Sequence, residues 1–307
     1  MQTAVEYSES SHGRIHEPVM ATEVVELLTY RRPLRLVDTT VATGGHALAL
    51  LEAAPLAACL LGLDRDAKAL AVASERLDRF GARAILRQND FADFETAADE
   101  AGFMQIDAMI ADLGMSSFAL DDPSRGFSFR NDGPLDMRMD LTQELRASDI
   151  VNQQNAEEIA RILYEYAEER ASRRIARFIV EARRRSPIET SGDLRRVVER
   201  ALGSGRRGGV HPATRTFQAL RIAVNHEIHS LETLLARAPE RLARGGRMAV
   251  ISYHSLEDRA VKTRFRELAA GGGFVQVNNK AMKPAPDEIA RNPRSRSAKL
   301  RCLERCV

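Results

Sequence analysis

The chain has 307 residues, of which 44% are hydrophobic and 29% are charged, and its formal net charge is +2 at pH 7. It has no apolar run long enough to cross a membrane, and its three cysteines give no reason to expect disulfides. Because the first residues also lack the apolar core of a signal peptide, we expect a cytoplasmic protein that does not contact a membrane.

Short apolar runs predict the strands of a mostly parallel sheet. Four of these runs lie at 34–38, 57–64, 83–87 and 106–112. Helix-like stretches at 46–54 and 66–80 lie between them. Short strands that are almost fully apolar are typical of a sheet covered by helices on both faces. Further strand signals follow late in the chain, at 247–253, 273–277 and 297–304. The sequence therefore predicts an α/β fold.

The alternation of strands and helices is interrupted in the middle of the chain. Residues 121–140 are rich in Pro, Gly and Asp and predict a long ordered loop, since their hydrophobic side chains argue against disorder. Residues 144–201 have a helical pattern, and 203–210 (GSGRRGGV) is typical of a flexible tether. We expect a discontinuous domain, 1–120 and 213–307, with an all-helical insert at 121–212 that recognises the substrate.

Acids and glycines follow the first two predicted strands, at the edge where open α/β sheets bind ligands. The run from Asp38 to His46 contains Gly44 and Gly45, which let a ligand approach the backbone. Asp64 ends the second strand, where a carboxylate suits the two hydroxyls of a ribose. The segment lacks the G-x-G-x-x-G spacing that binds a pyrophosphate, so it favours S-adenosylmethionine over a nicotinamide cofactor. The alternative is a tight turn with structural glycines.

Two more candidates follow the third and fourth strands. Phe91 is placed either to stack on an adenine or to pack in the core, and Asp112 either to contact the cofactor or to bind an amine that is methylated. Cys302 and Cys306 lie four residues apart without a second pair, so we expect no metal site.

Longer motifs resemble those of a known family. They are DDP at 121–123 with RGFSF at 125–129, DGPLDMRM at 132–139, HPATRTFQALRI at 211–222, VISYHSLEDR at 250–259 and NPRSRS at 292–297. With these blocks, which begin at HEPV (16–19) and extend over nearly the whole chain, the sequence resembles the bacterial 16S rRNA cytosine-N4 methyltransferases, the MraW family. The resemblance implies a class I (Rossmann-like) S-adenosylmethionine-dependent methyltransferase with a seven-stranded sheet and an inserted helical domain. It also implies N4 methylation of a cytidine in the decoding centre of the small ribosomal subunit.

The resemblance also assigns residues to the cofactor. By motif position, the implied contacts are Gly44, Gly45, His46, Asp64, Phe91 and Asp112. The family usually has glycine in place of Ala42, serine in place of Ala47, Pro-Gln in place of Phe118-Ala119, and phenylalanine in place of Tyr253. Because the glutamine is a cofactor contact in the family, that contact is absent here.

Methyl transfer from a sulfonium mainly requires an acceptor atom held in line, about 3 Å from the methyl carbon. The amine of cytosine is a poor nucleophile, and acceptors for its hydrogens stabilise the charge that develops on it. We therefore select Asp112, Asp136 and His254 as catalytic candidates. The alternatives are a loop-capping role for Asp136 and a structural hydrogen-bonding role for His254.

The expected partner is 16S rRNA within the small subunit, and the sequence is compatible with a homodimer. A base inside a duplex is out of reach, so the target must be unpaired or flipped, with Phe127 and Phe129 as candidates to stack on it. Arginines are the candidates for phosphate contacts, or alternatively for structural ion pairs; they are Arg138, Arg215, Arg221, Arg259, Arg294 and Arg296. The arginine-rich segment 170–185 is explained more simply as a solvated helix face. Two other functions stay open, a nicotinamide-dependent oxidoreductase and a non-catalytic RNA-binding or assembly factor.

Overall fold

The computed structural model describes residues 17–203 and 211–306. A seven-stranded sheet has the order β3-β2-β1-β4-β5-β7-β6. Its strands are β1 Arg35–Asp38, β2 Cys59–Asp64, β3 Ala84–Gln88, β4 Ile106–Asp112, β5 Leu242–Ser252, β6 Phe274–Gln276 and β7 Lys299–Arg305. The first five strands run parallel, and β7 is antiparallel to both of its neighbours. The predicted mostly parallel seven-stranded sheet is therefore confirmed.

Helices cover the sheet and form a separate helical body. Those that connect or cover the strands are α1 Ala21–Thr29, α2 Gly45–Ala53, α3 Ala67–Leu77, α4 Phe94–Glu100, α11 Glu227–Arg241, α12 Ser255–Ala270 and α13 Pro286–Arg291. The others are α5 Ser117–Asp121, α6 Ala147–Gln153, α7 Ala156–Ala167, α8 Ser172–Arg183, α9 Ser191–Leu202 and α10 Thr214–Asn225. Short 3-10 helices occupy Asp78–Arg83, Phe91–Asp93, Pro123–Arg125 and Pro293–Ser297.

The strands are apolar throughout because both faces of the sheet are covered. Consecutive side chains of a strand point to opposite faces. Leu36 of β1 and Leu60 of β2 belong to the hydrophobic cluster on one face, whereas Val37 and Leu61 belong to the cluster on the other. This two-sided burial explains why the strand pattern shows continuous apolar runs instead of alternation.

The helical body has its own hydrophobic core, to which α10 also contributes. Phe217 and Leu220 of α10 are buried with Ile159, Leu163 and Ile175 of α7 and α8. The predicted division of the chain stays a prediction, and this shared core favours an end of the insert after α10 instead of at residue 212. Residues 204–210 of the predicted tether lie outside the described residues.

The loop at 121–140 is ordered around one buried arginine. Arg125 is 2% exposed and donates to the Asp66 carboxylate at 2.9 Å and to the carbonyls of Arg138 and Met139, both at 2.8 Å. The amide of Met139 also donates to the Asn225 side chain of α10 at 2.7 Å. The loop therefore connects the end of β2 to the helical body and fixes that body beside the carboxyl edge of the sheet.

Candidate functional site

Three adjacent parallel strands end in aspartates at one edge of the sheet. β1 ends at Asp38, β2 at Asp64 and β4 at Asp112, and β1 lies between the other two strands. Because the carboxyl ends of parallel strands meet at the same edge, these side chains surround the β1–α2 loop. The edge therefore brings together the acids that end the first, second and fourth strands.

Asp64 holds the β1–α2 loop through its backbone. One carboxylate oxygen accepts from the amide of Ala42 and the other from the amide of Asp66, both at 2.8 Å. Ala42 and Gly44 both have positive φ, at 46° and 82°, so the loop turns sharply before α2 begins. Each oxygen of Asp64 keeps a lone pair for a ribose hydroxyl. Burial raises the pKa of Asp64 to about 6, although the amide hydrogen bonds oppose that shift.

Asp112 lies at the centre of a polar cluster. Its Oδ1 accepts from the Tyr253 hydroxyl at 2.7 Å, and its Oδ2 lies 3.3 Å from His46 Nε2. Its backbone amide donates to the Thr40 hydroxyl of the β1–α2 loop at 2.7 Å. Burial and the nearby Asp112 carboxylate raise the pKa of Tyr253 well above its usual value, so its hydroxyl stays protonated and remains a donor. The Asp112 carboxylate is thus oriented by Tyr253, which follows β5, and by His46 of α2, while Thr40 holds its backbone.

Asp38 and His46 are buried without a full set of partners. Asp38 is 1% exposed; its Oδ1 accepts from the Thr40 amide at 3.1 Å, whereas its Oδ2 has no hydrogen bond. Burial raises the pKa of Asp38 to about 7 against the opposing effect of His46. Burial lowers the pKa of His46, but the carboxylates of Asp112 and Asp38 together raise it above its usual value. Neither ring nitrogen of His46 makes a well-aligned hydrogen bond.

These features fit the cofactor predicted from the sequence. Buried polar atoms without partners are rare in folded proteins and are expected where a ligand completes the site. Carboxylates at Asp38, Asp64 and Asp112 suit a ligand that combines ribose hydroxyls with positive charge, and Gly44 and Gly45 lie where this loop enters α2. A pyrophosphate, which is anionic, would be repelled by the same carboxylates.

Phe91 lies in the 3-10 helix after β3 and is half-buried. It packs against the hydrophobic cluster on one face of the sheet, and the Arg65 guanidinium lies 5.6 Å from its ring centroid. A cavity of about 300 Å³ opens beside it, lined by residues that include Arg65, Asp90, Asn225 and His226. None of the six predicted cofactor residues lines this cavity, so stacking of Phe91 on adenine stays a prediction.

The contacts of Asp136 and His254 favour their structural alternatives. Asp136 accepts two hydrogen bonds from the Arg138 guanidinium, both at 2.8 Å; burial acts to raise its pKa, but these bonds lower it overall. His254 caps α12, since its Nδ1 accepts from the Glu257 amide at 3.4 Å and its Nε2 lies 3.1 Å from the Glu257 carboxylate. That carboxylate also accepts from the Tyr253 amide at 2.8 Å. Catalytic roles for Asp136 and His254 stay predictions.

The predicted RNA-binding arginines separate into internal and exposed groups. Arg138 is bound to Asp136, and Arg221 makes two hydrogen bonds of 2.8 Å with Glu227. Both are mostly buried, which favours the ion-pair alternative that the sequence left open.

The other four arginines are more accessible. Arg294 pairs with Asp121 at 2.6 Å on the surface, and Arg296 is exposed. Arg215 and Arg259 line one groove between the helical body and α12. Phosphate binding stays a prediction for all six arginines, and the geometry favours Arg215 and Arg259.

Sequence reasoning did not select four residues that complete the site. Asp38 has the same signal as Asp64, an acid at the end of an apolar run, and could have been chosen on that ground. Thr40 and the Tyr253 hydroxyl had no such signal, because their contacts with Asp112 join residues that are far apart in the chain. Glu257 contacts its near neighbours Tyr253 and His254 at the start of α12, and the sequence analysis did not consider that local capping pattern.

In the parts of the chain that the structure describes, no three His, Cys, Asp or Glu side chains are grouped to hold a metal ion. Over the same residues, none of the helices combines the length and the apolar character needed to cross a membrane.

Comparison with known proteins identifies the family. A sequence profile of the MraW methylase family matches residues 13–306. Ribosomal RNA small subunit methyltransferase H of Cyanothece sp. is 49% identical over 292 residues, 95% of each chain. The proteins of the same name from Geotalea uraniireducens and Sorangium cellulosum are 47% and 46% identical, over 94% and 95% of this chain and 98% and 91% of their own lengths. This overlap rules out the nicotinamide-dependent alternative. The chain belongs to the MraW methylase family and is an S-adenosylmethionine-dependent methyltransferase.

Proposed function

We propose that this protein methylates N4 of a cytidine in the decoding centre of 16S rRNA, in the cytoplasm. The names of its relatives support a small-subunit RNA substrate, and the motif resemblance supplies the base and the atom. The observation that supports the chemistry best is the oriented carboxylate of Asp112, between Tyr253 and His46 at the carboxyl edge of the sheet. A homodimer stays a prediction.

Residues of the β1–α2 loop and of β2 hold the cofactor in this proposal. Asp64 binds the ribose hydroxyls with the lone pairs that its two amide contacts leave free. The backbone of Gly44 and Gly45 lies where the loop enters α2, and the unpaired oxygen of Asp38 favours a positively charged ligand. When bound, S-adenosylmethionine supplies a methyl group activated by a positively charged sulfur.

Asp112 acts on the amine of the target base. Its carboxylate has about four lone-pair positions, of which the Tyr253 hydroxyl uses one. A hydrogen bond from the N4 amine to Asp112 turns the nitrogen lone pair out of conjugation with the ring. The amine nitrogen would lose one proton when it is methylated, and the Asp112 carboxylate, with His46 Nε2 at 3.3 Å, would accept it. The buried carboxylates stabilise the positive charge that develops on nitrogen.

Mass spectrometry of 16S rRNA from cells that lack the gene tests this proposal. We expect the loss of one methyl group on a single cytidine, and its restoration when the purified protein and labelled cofactor are added to small subunits from those cells. Asp112→Asn should lower the transfer rate at least 100-fold, a loss typical of a proton acceptor. The matched control, Asp78→Asn at an exposed carboxyl group, should transfer normally.

Three outcomes would contradict the proposed function. Label on another base, an unchanged RNA mass in the deletion strain, or full activity of Asp112→Asn each removes part of the assignment. Transfer of label by the unmodified protein also excludes the alternative of a non-catalytic assembly factor, whereas no transfer to any small-subunit preparation would favour it.

A further inference from the structure

A groove of about 650 Å³ separates the helical body from α12. Its lining includes Tyr164 at the end of α7, Arg170 before α8, Arg215 of α10, and Leu256 and Arg259 in the first turns of α12. Because α12 begins directly after Tyr253 and His254, the groove starts beside the segment that orients Asp112. The groove therefore lies between the helical body and a helix whose first residue follows the segment that contacts Asp112.

A row of arginines without carboxylate partners continues from the groove. Arg170, Arg173, Arg174 and Arg177 are exposed and form no ion pair with any residue in 17–203 or 211–306. Arg173, Arg174 and Arg177 lie on the first two turns of α8, and Arg170 lies in the turn just before it, so like charges repel one another there. By contrast, Arg183 of the same helix donates to two backbone carbonyls. The arginines of this segment therefore differ in their contacts, although they look alike in the sequence.

The acids near the groove do not neutralise this row. Glu165 pairs with Arg161, which lies outside the groove, and Glu168 pairs with Arg259 at 2.8 Å. The Glu168–Arg259 pair is more than half exposed on both sides, so breaking it costs little and leaves Arg259 able to bind another anion. Arg215 makes only a long contact of 3.5 Å with the Glu168 carbonyl.

We propose that the groove and the arginine row form one track that binds the sugar-phosphate backbone of single-stranded RNA beside the target nucleotide. This inference rests on the proposed function, which requires an unpaired target base. Tyr164 is 61% exposed in the groove and provides a face on which a neighbouring base stacks. Phosphate contacts from arginine position the strand without reading its sequence, so the track sets the register of the RNA and leaves base selection to the reaction centre.

Salt-dependent binding of a fluorescently labelled, mixed-sequence single-stranded RNA tests the track. The track variant is Arg170→Gln with Arg173→Gln and Arg177→Gln. The matched control is Arg87→Gln with Arg237→Gln and Arg291→Gln, which removes the same charge at exposed positions outside the groove. Each phosphate contact contributes about 0.7 to the slope of log affinity against log salt, so the slope of the track variant, measured from 50 to 200 mM salt, should be shallower by about 2. The control should retain the slope.

A second variant separates stacking from charge. Tyr164→Ala should weaken RNA binding about tenfold or more without changing the salt slope, and Tyr164→Phe should bind normally. Calorimetric binding of S-adenosylmethionine, unchanged in every variant, verifies that the proteins are folded.

The outcomes distinguish the track from the proposed function. If the unmodified protein transfers methyl to small subunits, but the track and control variants have equal salt slopes, the track is refuted and the proposed function stands. If the slope of the track variant is shallower by about 2, while the unmodified protein transfers no methyl group, the track stands and the proposed function fails.

Discussion

Replacing Ala42 by glycine is expected to stabilise this protein, although most substitutions in a well-packed loop destabilise. Ala42 has φ of 46°, in the left-handed region, and its amide is held there by the Asp64 carboxylate at 2.8 Å. An L-residue in this conformation costs about 1–2 kcal/mol. Glycine removes that cost but gains about 0.4–1 kcal/mol of chain entropy in the unfolded state. The net stabilisation is therefore about 0.5–1 kcal/mol, or a rise in Tm of roughly 1–3 °C.

Thermal and urea unfolding measure the change in stability of Ala42→Gly, and Ala47→Gly serves as the comparison. Ala47 is fully buried in α2 with helical backbone, so glycine there loses a packed methyl group and helix propensity, about 1–2 kcal/mol together. The two substitutions should shift Tm in opposite directions. Equal destabilisation by both would show that the φ of Ala42 carries no cost, and the account of this loop would then be wrong.

Three further predictions follow from buried charges. Because burial holds the pKa of Asp38 near 7, well above its unfolded value, its contribution to stability is present at low pH and is lost as pH rises towards 7. The gain in unfolding free energy from Asp38→Asn should therefore be about 3 kcal/mol larger at pH 8 than at pH 5, with Asp78→Asn at an exposed carboxyl group as the matched control. Asp64, whose pKa is about 6, accepts best from ribose hydroxyls when it is ionised, so the calorimetric affinity for the cofactor should fall as pH drops through 6. Asp64→Asn should make that fall shallower and leave the dependence nearer pH 7 that Asp38 contributes. Arg125→Met leaves the buried Asp66 carboxylate unpaired, so the free energy of unfolding in urea should fall by about 3–5 kcal/mol. Adding Asp66→Asn to the same chain should restore part of that stability, and no restoration would contradict the pairing.

The sheet could be predicted because each strand is buried on both faces and so appears as a continuous apolar run. The start of β5 was placed too late, at 247 instead of Leu242. Gly245, with φ of 75°, lies in a part of β5 where the pairing with β4 shifts register. The glycine pair therefore lies within the strand, although in the sequence it marked a boundary.

The partners of side chains could not be predicted, because they depend on contacts between distant residues. Phe127 was a candidate to stack on the target base, but it is 6% exposed in the core of the helical body. Phe129 stacks on the His211 ring, with centroids 4.5 Å apart. A sequence motif does not reveal whether its aromatic or charged residues face a ligand or pack in the core.

The features that break local rules are concentrated in the segment from Asp38 to His46. It contains an alanine with positive φ, a buried carboxylate oxygen without a partner and a buried imidazole without an aligned hydrogen bond. Without outside contacts this segment would adopt a less strained conformation. The Asp64 carboxylate accepts from the Ala42 amide, and the Asp112 amide donates to the Thr40 hydroxyl, and these two contacts keep its shape. The strain is therefore balanced by the two neighbouring strands. This is why the loop keeps its shape with alanine at position 42, and why changes at Asp64 should disturb the loop and the ribose contact together.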